Sequence, residues 1–320
     1  MRTVDLGMEK SIAVIGAGNW GRNLVKTLAH LGVLTHVAEP SESIRSRISA
    51  EYPGVDLRNG YESLLNEAGI NAVAIATPAP THHAIAKAFL EAGKDVFVEK
   101  PITLDVAEAE DLAATAEARD RILMAGHLLM YQPAIARVKE MIDGGVIGRL
   151  FTIHQERLKL GRARAVEDVL WSFGVHDVAV LLHLAGAAPV RSSAVKHRGL
   201  QPEVADDVYL HLEFASGATA HLHNAWLWPE NRRRLTAIGS EGMIVYDEVA
   251  QTVVLQRKRI DPDSLANVDE GEEVVFEGAA QPLEIELRHF LDCVETRRAP
   301  RSCGRSAVEV VRVLEQASAF

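Results

Sequence analysis

Six residues constrain this chain more than any others. Gly16-Ala17-Gly18-Asn19-Trp20-Gly21 follows at once on the short β-type run Ile12-Ala13-Val14-Ile15, and a helical pattern then continues to about Gly32. A strand that passes directly into a helix through three glycines at this spacing forms a tight loop whose backbone can approach a pyrophosphate. Gly16 lets the chain turn sharply, Gly18 leaves no Cβ in the way of the phosphate, and Gly21 allows helix and strand to pack closely. The helix N-terminus adds free N–H groups and a partial positive charge. A second apolar run, Leu34 to Ala38, ends in Glu39, 18 residues beyond Gly21. That carboxylate suits the adenosine ribose hydroxyls and would repel a 2′-phosphate, which predicts NAD rather than NADP. Arg45 and Arg47 follow a few residues later, at a spacing that fits the solvated face of the next helix.

The first 125 residues go on alternating strand and helix. Strands are expected near 12–16, 34–39, 72–76, 95–98 and 121–125, and helices near 19–32, 41–50, 61–67, 80–92 and 105–119. This is the pattern of a doubly wound parallel sheet with helices on both faces. After Gly126 the pattern changes to two helices, near 132–142 and 169–184, and seven β-type segments between 149 and 257. Ser216-Gly217 reads as a hairpin turn, 261–278 as an acidic loop, and 282–297 and 304–318 as closing helices. The fold class is therefore α/β: a Rossmann domain over 1–126, then an α+β domain over 127–320 with a large, mainly antiparallel open sheet.

The net charge of −10 argues against a nucleic-acid or anionic-membrane partner. No apolar run reaches about 18 residues, so no transmembrane helix is expected. The first ten residues are too polar for a signal peptide and read as a loose tail. Cys293 and Cys303 lack C-x-x-C spacing. These features point to the cytoplasm.

Other motifs fall where a doubly wound sheet collects its ligands, beyond the carboxyl ends of its strands. Thr77 and Pro78, with His82, follow the third strand and are expected to touch the cofactor; the alternative is a plain proline-rich turn. Glu99-Lys100-Pro101 follows the fourth strand at the same edge, where a lysine reaches the reacting carbons beside a nicotinamide. His176 falls in the first turn of a helix opened by Trp171-Ser172-Phe173-Gly174-Val175, where the dipole would help keep the ring neutral. Arg157, Lys159, Arg162 and Arg164 form a cationic run without an acid, and Arg232-Arg233-Arg234 another. Such groups are either a solvated rim or a diphosphate site, and the second reading suggests a sugar nucleotide. His221 and His223 share a strand face, but no third ligand stands at convincing spacing, so no metal is expected.

Together these residues resemble the Gfo/Idh/MocA oxidoreductase family from Ile12 to about Leu314. The glycine fingerprint, Ala76-Thr77-Pro78 with His82, Gly93 to Pro101 with its Glu-Lys-Pro turn, and His176 carry the likeness. Gly126 to Ile135, Arg157 to Arg162, Val169 to Asp177 and Trp226 to Pro229 are similar to the nucleotide-sugar branch, and most to its UDP-N-acetylglucosamine 3-dehydrogenases. The resemblance implies an NAD-dependent oxidation that makes a 3-keto sugar for a downstream aminotransferase, and a homotetramer built through the open sheets. It implies Lys100 and His176 in catalysis. Substrate contacts are expected at Tyr131, Arg157, Lys159, Arg162, Ser172 and His176. Many family members carry Asp where this chain has Ser172, four residues before the histidine, so the usual Asp–His pairing is missing. A keto-sugar-nucleotide reductase using NAD(P)H and a non-catalytic dinucleotide-binding sensor are the alternatives.

Overall fold

The computed structural model describes residues 11–278 and 281–318. The polar N-terminal tail lies outside the described residues. The chain divides into two compact units. The first runs to His127 and takes in Leu283–Val311 from near the C-terminus; the second covers Leu128–Pro282 and the chain from Arg312 onward. The fold of the first unit thus recruits a segment that sequence order assigns to the second domain.

In the first unit β1 (Ile12–Ile15), α1 (Gly21–His30), β2 (Leu34–Ala38), α2 (Glu42–Glu51), β3 (Asp56–Arg58), β4 (Ala72–Ile75), α3 (His82–Glu91), β5 (Asp95–Glu99), α4 (Val106–Ala118) and β6 (Leu123–Gly126) follow in order. The strands form one six-stranded sheet in the order β3-β2-β1-β4-β5-β6, and every pairing is parallel. This is the dinucleotide-binding order, with the crevice at the point where β1 and β4 leave in opposite directions. β1 and β4 are buried at every position, as strands covered on both faces must be, and each such Val or Ile contributes roughly 1.5–3 kcal/mol. Asp105 caps α4 by accepting the Glu108 N–H at 3.0 Å. The helix expected over 61–67 is only a 3-10 turn, Glu62–Leu64, and β3 is a three-residue strand whose periodicity is too short to read.

The second unit contains α5 (Pro133–Asp143), β7 (Leu150–Leu158), α6 (Val175–Ala185), β8 (Arg191–His197), β9 (Asp207–Glu213), β10 (Thr219–Ala225), β11 (Arg232–Gly239), β12 (Met243–Asp247), β13 (Thr252–Ile260) and β14 (Asn267–Glu277). They form an eight-stranded sheet in the order β14-β13-β12-β11-β7-β10-β9-β8, antiparallel except where β10 meets β7. α5 packs on β12, β13 and β14, and α6 on β10. Ser216-Gly217 is the hairpin turn between β9 and β10: Phe214 N–H donates to Ala218 O at 2.9 Å, and Gly217 takes a φ of +83°. The acidic stretch 261–278, a loop by composition, is largely β14. Its carboxylates face the bases of β13, with Arg259 3.2 Å from Glu270 and Arg257 3.5 Å from Glu273. Cross-strand charge pairing supports a strand that has no apolar alternation to announce it. α7 (Pro282–Thr296) and α8 (Gly304–Ser318) close the chain.

Candidate active site

The glycine loop lies at the carboxyl end of β1, and its three glycines differ in what they allow. Gly16 has a φ of +85°, and a Cβ there would lie 3.0 Å from Thr77 Cγ2. A Cβ on Gly21 would sit 2.1 Å from the Gly16 carbonyl oxygen, so the turn itself closes only around glycine. A Cβ on Gly18 would meet no atom within 4 Å, which leaves open space where a phosphate belongs. α1 begins at Gly21 with no side chain capping its N–H groups. These features fit a dinucleotide pyrophosphate. Asn19 is exposed beside them.

Glu39 stands beyond the end of β2, as a ribose acceptor should. Its Oε2 accepts the Ala17 N–H at 2.8 Å and its Oε1 the Ser41 N–H at 2.9 Å. The carboxylate therefore also braces the glycine loop. Arg45 donates to the carbonyls of Glu39 and Pro40, both at 2.7 Å. That ties a cation to the backbone that a 2′-phosphate would need.

Thr77 and Pro78 follow β4, with Thr77 packed against Gly16. His82 takes a different place from the one its spacing suggests. It is 1% exposed, with Nδ1 2.8 Å from Pro101 O and Nε2 2.8 Å from Thr77 O. It staples together two loops at the ligand edge of the sheet. Burial holds its pKa below the usual value, against the pull of the two carbonyls.

Glu99 ends β5, and Lys100 follows with a cis bond to Pro101. The Trp20 indole N–H, from the glycine loop, donates to Glu99 Oε1. The Lys100 backbone N–H lies 3.3 Å from Glu99 Oε2. Burial pushes the Glu99 carboxyl up to about 7, against the opposing effects of Trp20 and Lys100. His127 is buried beside this turn, and burial, aided by the Lys100 charge, pulls it down to about 4.

The remaining expected residues belong to the second unit. His176 lies at the start of α6, but that helix has no free N-terminus there. A π-helical turn, Leu170–Gly174, leads into it, and the helical path begins at Asp168, whose Oδ1 accepts the Trp171 N–H at 2.9 Å. The dipole falls off within the first turn, so it does not govern the imidazole of His176. What fixes His176 is its neighbour. Asp177 is fully buried and accepts from Gln155 Nε2 at 2.6 Å, Arg157 Nε at 2.9 Å and Asn224 Nδ2 at 2.9 Å. These bonds pin α6 to β7 and β10.

Arg157 is accordingly not offered to a diphosphate. Beyond Asp177 it donates to Glu248 Oε2 at 2.8 Å. Burial opposes its charge, but the two carboxylates hold its pKa above the ordinary value. The cationic run lacks acids only in sequence: Arg232 meets Glu156 at 2.8 Å, Arg233 meets Glu248 at 3.1 Å, and Arg164 meets Glu167 at 3.5 Å. Tyr131 is buried, 1% exposed. Ser172 is buried in the π-helical turn, with its Oγ 3.5 Å from Val169 O. Lys159 and Arg162 remain. Lys159 Nζ stands 5.2 Å from the centre of the Phe173 ring, its pKa lowered by burial and by the charges of Arg233 and Arg157. Arg162 is exposed. His223 pairs with Asp207 at 3.0 Å, and His221 stacks on His154 at 4.7 Å. Among the described residues no cluster of His, Cys, Asp or Glu is arranged for a metal, and no helix is long and apolar enough to cross a membrane.

Asp177, Glu248 and Glu286 are the groups that spacing does not single out. Glu286 alone leaves a trace in sequence, a charge on the apolar face of α7 that also carries Phe290 and Cys293.

The parallel sheet, its glycine loop and the acid after β2 define a dinucleotide-binding protein. The model for the oxidoreductase family with an NAD-binding Rossmann fold matches residues 10–127, and that for the Gfo/Idh/MocA C-terminal domain matches 135–245. UDP-N-acetylglucosamine 3-dehydrogenase of Acidithiobacillus ferrooxidans is 31% identical over 228 residues, 69% of either chain. Its solved structure superposes with a TM-score of 0.86, at 26% identity, covering 97% of this chain and 96% of that one. The NAD-dependent scyllo-inositol 2-dehydrogenase of Bacillus subtilis is 27% identical over 307 residues, 90% of this chain and 87% of the other. The chain belongs to the Gfo/Idh/MocA oxidoreductase family, and its cofactor is NAD.

Proposed function

We propose that the protein oxidises the 3-hydroxyl of a UDP-linked N-acetylhexosamine, most simply UDP-N-acetylglucosamine, to the 3-keto sugar nucleotide. The observation that carries this reading is the likeness to the Acidithiobacillus enzyme, in sequence over two-thirds of the chain and in fold over nearly all of it. Bound NAD supplies the hydride acceptor. Lys100 hydrogen-bonds the reacting oxygen and stabilises its developing negative charge. His176, held by the Asp177 network, takes the hydroxyl proton, and with Ser172 in place of the usual acid the imidazole works without a carboxylate at that position. Lys159 and Arg162 are the cations left to meet a diphosphate. The outer sheet face, with Tyr209 and Val195 exposed, would serve a homotetramer, and an aminotransferase would consume the ketone.

A second reading has its own support. The inositol dehydrogenase aligns over more of the chain, and Arg157 is already neutralised, which weakens the case for a diphosphate. A panel of UDP-sugars, dTDP-sugars and inositols incubated with NAD, with a ketone trap to pull the equilibrium, separates the two by the appearance of reduced nicotinamide. Turnover of inositols but of no sugar nucleotide would sink the first reading.

A further inference from the structure

Behind the Glu-Lys-Pro turn lies a second carboxyl that the chemistry above does not use. Glu286 sits on α7 and is 1% exposed, and its Oε1 has no hydrogen-bond partner among the described residues. Its position follows from two periodicities. Phe290, one helical turn further on, shares its helix face, and Phe97 shares a strand face with Glu99. The Phe97 and Phe290 rings are 5.9 Å apart, which brings Glu286 toward Glu99. From the other side the turn is closed by Gly126, where a Cβ would lie 3.1 Å from Glu99 Oε2.

The two carboxyls have unequal surroundings. Glu99 receives the Trp20 indole N–H and the Lys100 backbone N–H, and stands beside the Lys100 charge. Glu286 has an apolar setting, and the charge it feels is that of Glu99 itself. Two buried like charges cannot both be sustained, and the group without donors keeps the proton.

We infer that Glu286 is a protonated acid at neutral pH that directs its O–H toward Glu99, so that the pair never carries more than one negative charge and Glu286 acts as a positioning residue for Glu99. The Lys100 charge acts on Glu99 and on His127, whereas Glu286, which shares α7 with His289 and Cys293, is affected by burial and by Glu99. Burial and the Glu99 charge both push Glu286 well above the ordinary carboxyl range, which agrees. Through Glu99 the pair holds Trp20 of the glycine loop and the Lys100 backbone in one arrangement. Its bearing on turnover rests on the function proposed above, but its test needs no substrate.

The infrared difference between the wild-type protein and Glu286→Gln at neutral pH is expected to contain the C=O stretch of a protonated carboxylic acid. Absence of that band overturns the proposal, and Glu286→Gln keeps the shape and donor needed to fold. Glu99 ionisation is read separately from the fluorine resonance of Trp20 in protein labelled with fluorotryptophan, assigned with Trp20→Phe. Its titration midpoint should stay in place in Glu286→Gln, which keeps a neutral donor, and move upward in Glu286→Leu, which removes it. A midpoint that drops in Glu286→Gln would mean that Glu286 carries a charge, and an unmoved midpoint in Glu286→Leu would mean no coupling; either overturns the assignment. If Glu286→Leu does not fold, the infrared band decides. An inactive result on every sugar would leave these readings intact.

Discussion

Asp177, the residue that follows His176, accepts the Arg157 Nε–H with both carboxylate oxygens, at 2.9 and 3.0 Å. This ion pair is almost fully buried and belongs to a network that includes Gln155, Asn224 and Glu248. Breaking such a pair leaves a charge stranded. Asp177→Asn should therefore lower unfolding stability by about 3–5 kcal/mol, measured by urea denaturation. Arg157→Met with Asp177→Leu should cost less than Asp177→Asn alone. Equal stability of Asp177→Asn and wild type would show that the network contributes nothing.

The glycine loop separates ligand constraints from folding constraints. Gly18→Ala meets no protein atom, so its thermal midpoint should match wild type while NAD affinity falls at least tenfold, about 1.4 kcal/mol. Gly21→Ala strikes the Gly16 carbonyl and should lower both. Calorimetric titration with NAD beside thermal melts distinguishes them.

Glu39 braces Ala17 and Ser41 at the position where the acid after the second strand meets an adenosine ribose. Glu39→Ala should weaken NAD by about tenfold and leave NADP less affected, because the repulsion of a 2′-phosphate goes with the carboxylate. An unchanged ratio of the two dissociation constants would remove Glu39 from cofactor selection.

Lys100→Ala should reduce turnover on the accepted substrate by at least about a hundredfold while NAD binds within about threefold of wild type. Steady-state rates beside equilibrium binding test this, and undiminished turnover would take Lys100 out of the mechanism.

Two buried groups near the Glu-Lys-Pro turn give stability opposing pH slopes. Glu99 rises from 4.5 to about 7 on folding. Between those values the native state keeps a proton that the unfolded chain has lost, so stability falls as pH rises through the window. His127 drops from 6.5 to about 4. There the unfolded chain binds the extra proton, so stability is lost as pH falls. Each contributes roughly 3 kcal/mol across its window, and the two largely cancel where the windows overlap, so the slope left in wild type is the fall from Glu286, which keeps in the native state a proton the unfolded chain loses above 4.5. Relative to wild type, Glu99→Gln should tilt the profile toward rising stability with pH, and His127→Asn should steepen the fall. Parallel profiles of urea midpoint against pH in all three proteins would contradict the opposition.

The first sheet was legible because local signals coincide there. An apolar strand, a glycine turn and an amphipathic helix each announce themselves within a dozen residues, so Gly16, Gly18, Gly21 and Glu39 could be named from spacing alone. β14 escaped because its support is cross-strand charge pairing, and Glu62–Leu64 forms a shorter turn than its pattern suggests.

What the sequence determined by itself is the alternation of strand and helix around the glycine loop, the family and the edge of the sheet where NAD belongs, because those follow from short-range periodicity and from backbone sterics. Only the tertiary structure decided which charges are available. It closed Arg157 between Asp177 and Glu248, turned His82 into a staple, placed Tyr131 in the core, and set Glu286 against Glu99. These partners lie between 5 and 187 positions apart in the chain. A charge in a protein is neutralised by what folding brings within a few ångströms, and no local pattern carries that information.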